Sequence, residues 1–128
     1  MFAVGAGAVA GAWLRWWLSM RLNPIFPTLP IGTLTANLIG GYVIGLAVGV
    51  INLDLGLSPQ ARLFLMTGFC GGLTTFSTFS AETFALLSRG QFAWGIGEIA
   101  IHVTGSVLAT MLGVLTVGLI RLIAGSTT

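Results

Sequence analysis

Three groups of polar residues stand in otherwise apolar surroundings, and their spacing limits what they can do. His102, Ser106 and Thr110 fall at i, i+4 and i+8, which keeps them on one face of a helix. A ladder of rotatable hydroxyls can replace the water around a small ion step by step. The plainer alternative is that each hydroxyl bonds the carbonyl one turn back. Thr33 and Asn37 lie one turn apart, and the Asn37 amide can donate either to an anion or to a partner helix. The third group is the stretch Gly68–Ser80. It places a glycine pair, Gly71-Gly72, in an apolar run and then packs five hydroxyl residues into seven positions, Thr74 to Ser80. That composition suits a helix interrupted by the glycines, whose freed backbone groups line an ion site. Exposed carbonyls there would attract a hard cation such as Na⁺. Phe76 and Phe79 sit at i and i+3 on one face. Ring edges are positive, so two such rings can contact an anion without a fixed charge that would trap it. Phenylalanines that simply pack or face lipid are the alternative.

These groups need elements to hold them, and the composition says which kind. Of 128 residues, 55% are hydrophobic and 6% charged, with 19 glycines. A soluble domain carries about 25% charged residues. Eight charges cannot cover the surface of a water-soluble domain this size, so the chain belongs in a lipid bilayer. The five arginines, Arg15, Arg21, Arg62, Arg89 and Arg121, are dispersed and form no basic patch for nucleic acid. One cysteine, Cys70, excludes an intrachain disulfide, and His102 as sole histidine leaves too few soft ligands for a catalytic metal. An enzyme is not expected.

Four charge-poor stretches, at about residues 2–20, 31–52, 61–88 and 92–124, are separated by short polar connections. The first opens without a basic leader or clear cleavage motif, which argues against a removable signal peptide. A crossing helix needs about 20 apolar residues, and each stretch reaches that length. The expectation is an all-α membrane protein: one domain over residues 1–128, four transmembrane helices, the third broken at mid-membrane near residues 71–75. Ser58 is placed to cap the third helix, with Pro59 at its first position.

With four crossings, Arg62 and Arg121 share one side of the membrane, while Arg15, Arg21 and Arg89 fall toward the other. Orientation normally follows a clear basic excess on the cytoplasmic side, and here the excess is nearly nil. Such a chain can insert both ways up, which permits an antiparallel homodimer. A single orientation set by Arg15 and Arg21 is the alternative. Glycines four apart, at Gly7/Gly11, Gly41/Gly45/Gly49 and Gly68/Gly72, predict close helix packing and a narrow pathway.

The stretches GGLTTFSTF (Gly71–Phe79), GTLTANLIGGYVIG (Gly32–Gly45) and GAWLRW (Gly11–Trp16) resemble the signature segments of the bacterial Fluc/CrcB fluoride channels. The resemblance covers essentially the whole chain in length, helix layout and motif order. It implies a passive, multi-pass channel of the bacterial plasma membrane that exports cytoplasmic fluoride, relieving its toxicity through two pores in an antiparallel dual-topology homodimer. By motif alignment it implies Phe76 and Phe79 as edge-on fluoride contacts, Asn37 as a hydrogen-bond donor, and Ser106 and Thr110 as a polar track, with Thr33 on the same pathway. Arg15 would stand at a vestibule, raising the local anion concentration. A structural Na⁺ at the dimer centre would be held by the carbonyls of Gly71 and Thr74. Glu82, one turn beyond Phe79, would face a pathway exit or pair with an arginine. A different class of function, a small proton-coupled multidrug exporter, matches the size and topology. It requires a membrane-embedded carboxylate in the first helix, and the first stretch has none; Glu98 at the start of the fourth is a poor substitute.

Overall fold

The computed structural model describes residues 1–125, which are helical with short connections. Helix α1 spans Phe2–Leu22 and α2 spans Ile31–Asn52. Residues 59–73 form α3, whose middle, Leu63–Cys70, is wound as a π-helix between α-helical ends. Helix α4 is Phe76–Ser88 and α5 is Phe92–Gly125.

Local chemistry accounts for most of the boundaries. Between α1 and α2 the prolines allow only a short 3₁₀ turn, Asn23–Ile25, and Asn23 Oδ1 accepts from the Gly32 N–H at 2.8 Å. That bond satisfies one of the donors left open at the start of α2. At the far end of α2, Leu55 N–H bonds the Val50 carbonyl and Asp54 N–H the Ile51 carbonyl, with Asp54 at φ 52°. The same pair of bonds closes α4, from Gln91 to Leu86 and from Gly90 to Leu87, with Gly90 at φ 73°. Both are Schellman closures, which need a left-handed residue just past the helix; glycine adopts that conformation freely, whereas Asp54 does so at some cost. Ser58 Oγ accepts from the Ala61 N–H at 3.2 Å and Pro59 opens α3, two residues earlier than the charge-poor stretch begins.

The glycine pair does not break the chain. Gly71–Leu73 remain helical, and the interruption falls on Thr74 and Thr75, whose backbones are extended (ψ 153° and φ −148°). Thr75 Oγ1 accepts from the Thr78 N–H at 3.1 Å and so caps α4. The glycines serve packing instead. A Cβ on Gly11 would overlap the Phe69 carbonyl and come within 2.7 Å of the Leu73 nitrogen, and one on Gly72 would overlap the Ala8 carbonyl. Close backbone approach of this kind is how helices associate in lipid. On the other side α2 lies along α5 through Gly41, Gly45 and Gly49, with Gly113 opposite Gly45. Leu18, Ala36 and Leu73 form the buried centre between α1, α2 and α3.

Helices α2 and α5 are each long and apolar enough to cross a membrane. At 1.5 Å per residue α1, with 21 residues, spans about 31 Å. Helices α3 and α4 together cover the third charge-poor stretch. Large apolar side chains, Trp13, Trp16, Phe76, Phe84, Leu108 and Leu112 among them, lie exposed along the helices. A surface this apolar calls for lipid or another protein against it.

Candidate ion pathway

The break is held open by Asn37. Its Oδ1 accepts from the Thr75 N–H at 2.8 Å, and its Nδ2 donates to the Thr75 carbonyl at 3.3 Å. In an unbroken helix the Thr75 N–H would bond the Gly71 carbonyl; here it is taken by the amide, and the Gly71 carbonyl is left without that partner. The first of these contacts also fixes which way the amide faces. Nδ2 then reaches His102 Nδ1 at 3.2 Å, so that ring nitrogen accepts and the imidazole proton sits on Nε2. Asn37 therefore ties α2, the break and α5 together at one point.

Phe76 and Phe79 follow the break. Their centroids are 5.6 Å apart at 60°, an edge-to-face contact, and the two rings differ sharply in exposure, at 79% for Phe76 and 9% for Phe79. Phe79 also stacks on His102 at 4.6 Å and 28°. One ring thus lies open on the surface of the single chain while the other is held between α4 and His102 of α5.

A cleft of about 470 Å³ runs past these groups. Of the nine residues to which the resemblance assigns the pathway, the vestibule or the Na⁺ site, seven line it: Asn37, Gly71, Thr74, Phe76, Phe79, Ser106 and Thr110. His102 lines it too, between Phe79 and Ser106 on the α5 face. The Thr110 hydroxyl donates to the Ser106 carbonyl at 3.0 Å, the one-turn-back bond, so its proton is taken within α5. A larger cleft of about 970 Å³ lies between the C-terminal parts of α2 and α5, where Asn52 and Arg121 are the polar side chains of a lining otherwise made of glycine, valine and leucine; none of the residues singled out above lines it except Arg121 and Gly49.

Thr33 and Arg15 are placed elsewhere. Thr33 is completely buried, and its hydroxyl donates to Glu82 Oε1 at 2.8 Å, so Glu82 pairs with a threonine and not with an arginine. Arg15 does not stand free at a vestibule. Its Nη1 donates to the Thr74 carbonyl at 3.2 Å, because a carbonyl released at a helix break is the strongest acceptor within reach of mid-α1. Sequence reasoning missed a further pair: Thr83 Oγ1 donates to Glu98 Oε2 at 3.0 Å, and Glu98 is wholly buried. The period-four spacing of Glu98, His102, Ser106 and Thr110 was a signal that could have found it.

Polar side chains from three helices thus converge on a helix break within an apolar all-helical chain, a composition that belongs in a membrane. A family model described as CrcB-like protein, Camphor Resistance (CrcB), matches residues 2–114. The chain is 63% identical over 115 residues to a protein of Nitrosospira multiformis named fluoride-specific ion channel FluC, covering 90% of each. A Pseudomonas putida protein of the same name is 58% identical over 116 residues, 91% of each chain. One from Dechloromonas aromatica is 55% identical over 119 residues, 93% of this chain and 88% of its own. The chain belongs to the CrcB family.

Proposed function

We propose that this chain is a fluoride-selective passive channel of the bacterial plasma membrane, exporting the anion that accumulates when HF enters a cell and dissociates. The observation that carries the reading is the single cleft in which Asn37, Phe76, Phe79, Ser106 and Thr110 come together from three helices, in a chain whose relatives are named fluoride-specific channels. Fluoride is small and strongly basic, so it gains more from hydrogen-bond donors and positive ring edges than chloride does. The lining offers the ring edges and, as donors, the Ser106 hydroxyl and the His102 Nε2–H; the Asn37 and Thr110 protons are engaged in the bonds above and would have to turn from them to meet an anion. Passing the anion needs no bond made or broken.

The active form in this reading is an antiparallel dual-topology homodimer with two pores. The exposed apolar faces and the nearly balanced arginines support it. Na⁺ at the dimer centre fits the donor set. The Gly71 carbonyl lacks its helical partner, Gly71 is exposed, and a second copy would bring a matching pair of oxygens. The Gly71 and Thr74 carbonyls would hold it, and the ion would neutralise the partial negative charge that the breaks concentrate there. Arg15 shares that task at Thr74.

The reading is tested on the inner ring. In liposomes holding Phe79→Ile, fluoride efflux is expected to fall to the level of protein-free liposomes, while gel filtration still shows a folded dimer. Wild-type flux in that variant would remove the ring-edge mechanism, and no flux from folded wild-type protein would remove the channel.

A further inference from the structure

The cleft of about 970 Å³ between the C-terminal parts of α2 and α5 takes no part in the pathway above, yet its chemistry is ordered along its length. The two helices run side by side in the same direction. Gly41 lies against Ser106 and Thr110, Gly45 against Thr110 and Gly113, and Gly49 against Val114 and Val117. Asn52, three residues beyond Gly49, comes close to the level of Arg121, and both line the cleft. Helix α2 ends at Asn52, and its 22 residues span about 33 Å, the thickness of a hydrocarbon core. The Asn52–Arg121 end of the cleft therefore lies at the edge of the membrane, among phospholipid headgroups. From Arg121 the groove descends along α5, with Gly118 about 4.5 Å and Val114 about 10 Å toward the membrane centre. Gly118 gives it room, since a Cβ there would meet nothing within 4 Å.

The polar end is open. Arg15 is bonded to the Thr74 carbonyl and Arg21 lies over Trp17, whereas the exposed Arg121 makes no hydrogen bond or ion pair among the described residues. The Asn52 amide is exposed and also makes no side-chain bond there. No carboxylate lines the cleft, and Asp54, two residues past Asn52, is not part of its wall.

A cation and an amide at the rim, with an apolar groove running inward, fit a molecule that is anionic at one end and aliphatic along the rest. A guanidinium meets phosphate oxygens with paired N–H donors, and the amide adds another donor. A zwitterionic headgroup would bring an ammonium that finds no carboxylate here, so a headgroup of net negative charge fits better. A small soluble anion would leave the apolar walls uncovered. We propose that this cleft binds an anionic phospholipid, its phosphate on Arg121 and Asn52 and one acyl chain laid over Gly118 toward Val114. The proposal needs the chain to lie in a bilayer and is independent of what the pathway conducts.

The test is native mass spectrometry of the detergent-purified protein titrated with phosphatidylglycerol or with phosphatidylethanolamine of the same acyl chains. Wild type is expected to bind phosphatidylglycerol about fivefold more tightly or better, the order of effect of one basic residue near headgroups. Arg121→Gln should remove that preference. Gly118→Leu, which fills the groove, should weaken both lipids while gel filtration still shows folded protein. Arg89→Gln, at an exposed arginine that follows α4 and is not part of the cleft, should behave as wild type. Equal binding of the two lipids by wild type overturns the proposal. So does an Arg121→Gln protein that keeps the preference, or an Arg89→Gln protein that loses it equally. The other occupant is a second copy of the chain. In that case Gly118→Leu would move the protein to a smaller species in gel filtration with lipid binding unchanged, and this too overturns the proposal.

Discussion

The seam between α1 and α3 and the cluster around the α3–α4 break solve opposite problems with neighbouring residues. Along the seam, Gly7, Gly11, Gly68 and Gly72 bring backbone against backbone, and there is no room for a methyl group, still less a guest. Around the break, Asn37, Thr33, Thr75, Glu82, Thr83, Glu98 and His102 are buried or half-buried polar groups, and three of their atoms are unsatisfied. In a membrane an unsatisfied buried polar atom costs free energy that lipid cannot return, so polar groups placed there mark a pathway. The seam packs backbone on backbone, and the polar atoms left without partners are confined to the other half.

The largest effect should come from spoiling the seam. Gly11→Leu drives a side chain into the Phe69 carbonyl and is expected to abolish the monodisperse peak of detergent-purified protein in gel filtration. Gly118→Leu, where a Cβ meets nothing within 4 Å, should leave the peak in place. Equal behaviour of the two would mean the seam is not the tightly packed half.

On the polar side, Asn37→Ala removes the acceptor of the Thr75 N–H and the donor to His102 together. Leaving such groups buried and unpaired costs about 1–3 kcal/mol each, so thermal unfolding in detergent should move down clearly and fluoride flux should be lost. A melting curve like that of wild type would show that the break holds without its clamp. The smallest effect is expected at Tyr42→Phe. Its hydroxyl bonds Thr116 at 3.2 Å on the exposed side of the α2–α5 pair, a contact worth about 1 kcal/mol or less, and flux should stay within about twofold of wild type.

How far each half could be read in advance follows from the range of its interactions. Four-residue glycine spacing is local, and so are the Ser58–Pro59 start of α3 and the hydroxyl run after Leu73; all can be seen in the sequence. The site's wiring is not local. Thr33 meets Glu82 across 49 positions, Arg15 meets the Thr74 carbonyl across 59, and Asn37 meets His102 across 65. No periodicity encodes those partners. Gly71-Gly72 misled for a physical reason: glycine is the residue both of helix breaks and of close helix packing. Here tight contact between Gly72 and Ala8 keeps the pair helical, and the hydroxyls of Thr74 and Thr75, able to bond backbone, take the break. The π-helical turn at Leu63–Cys70 has no mark in the sequence at all.

The most direct test of the account is to load liposomes that hold the purified protein with either KF or KCl, add a K⁺ ionophore, and follow anion release with ion-selective electrodes. The account predicts rapid fluoride release with chloride retained. Chloride release at a comparable rate, or retention of both anions by folded protein, would contradict it.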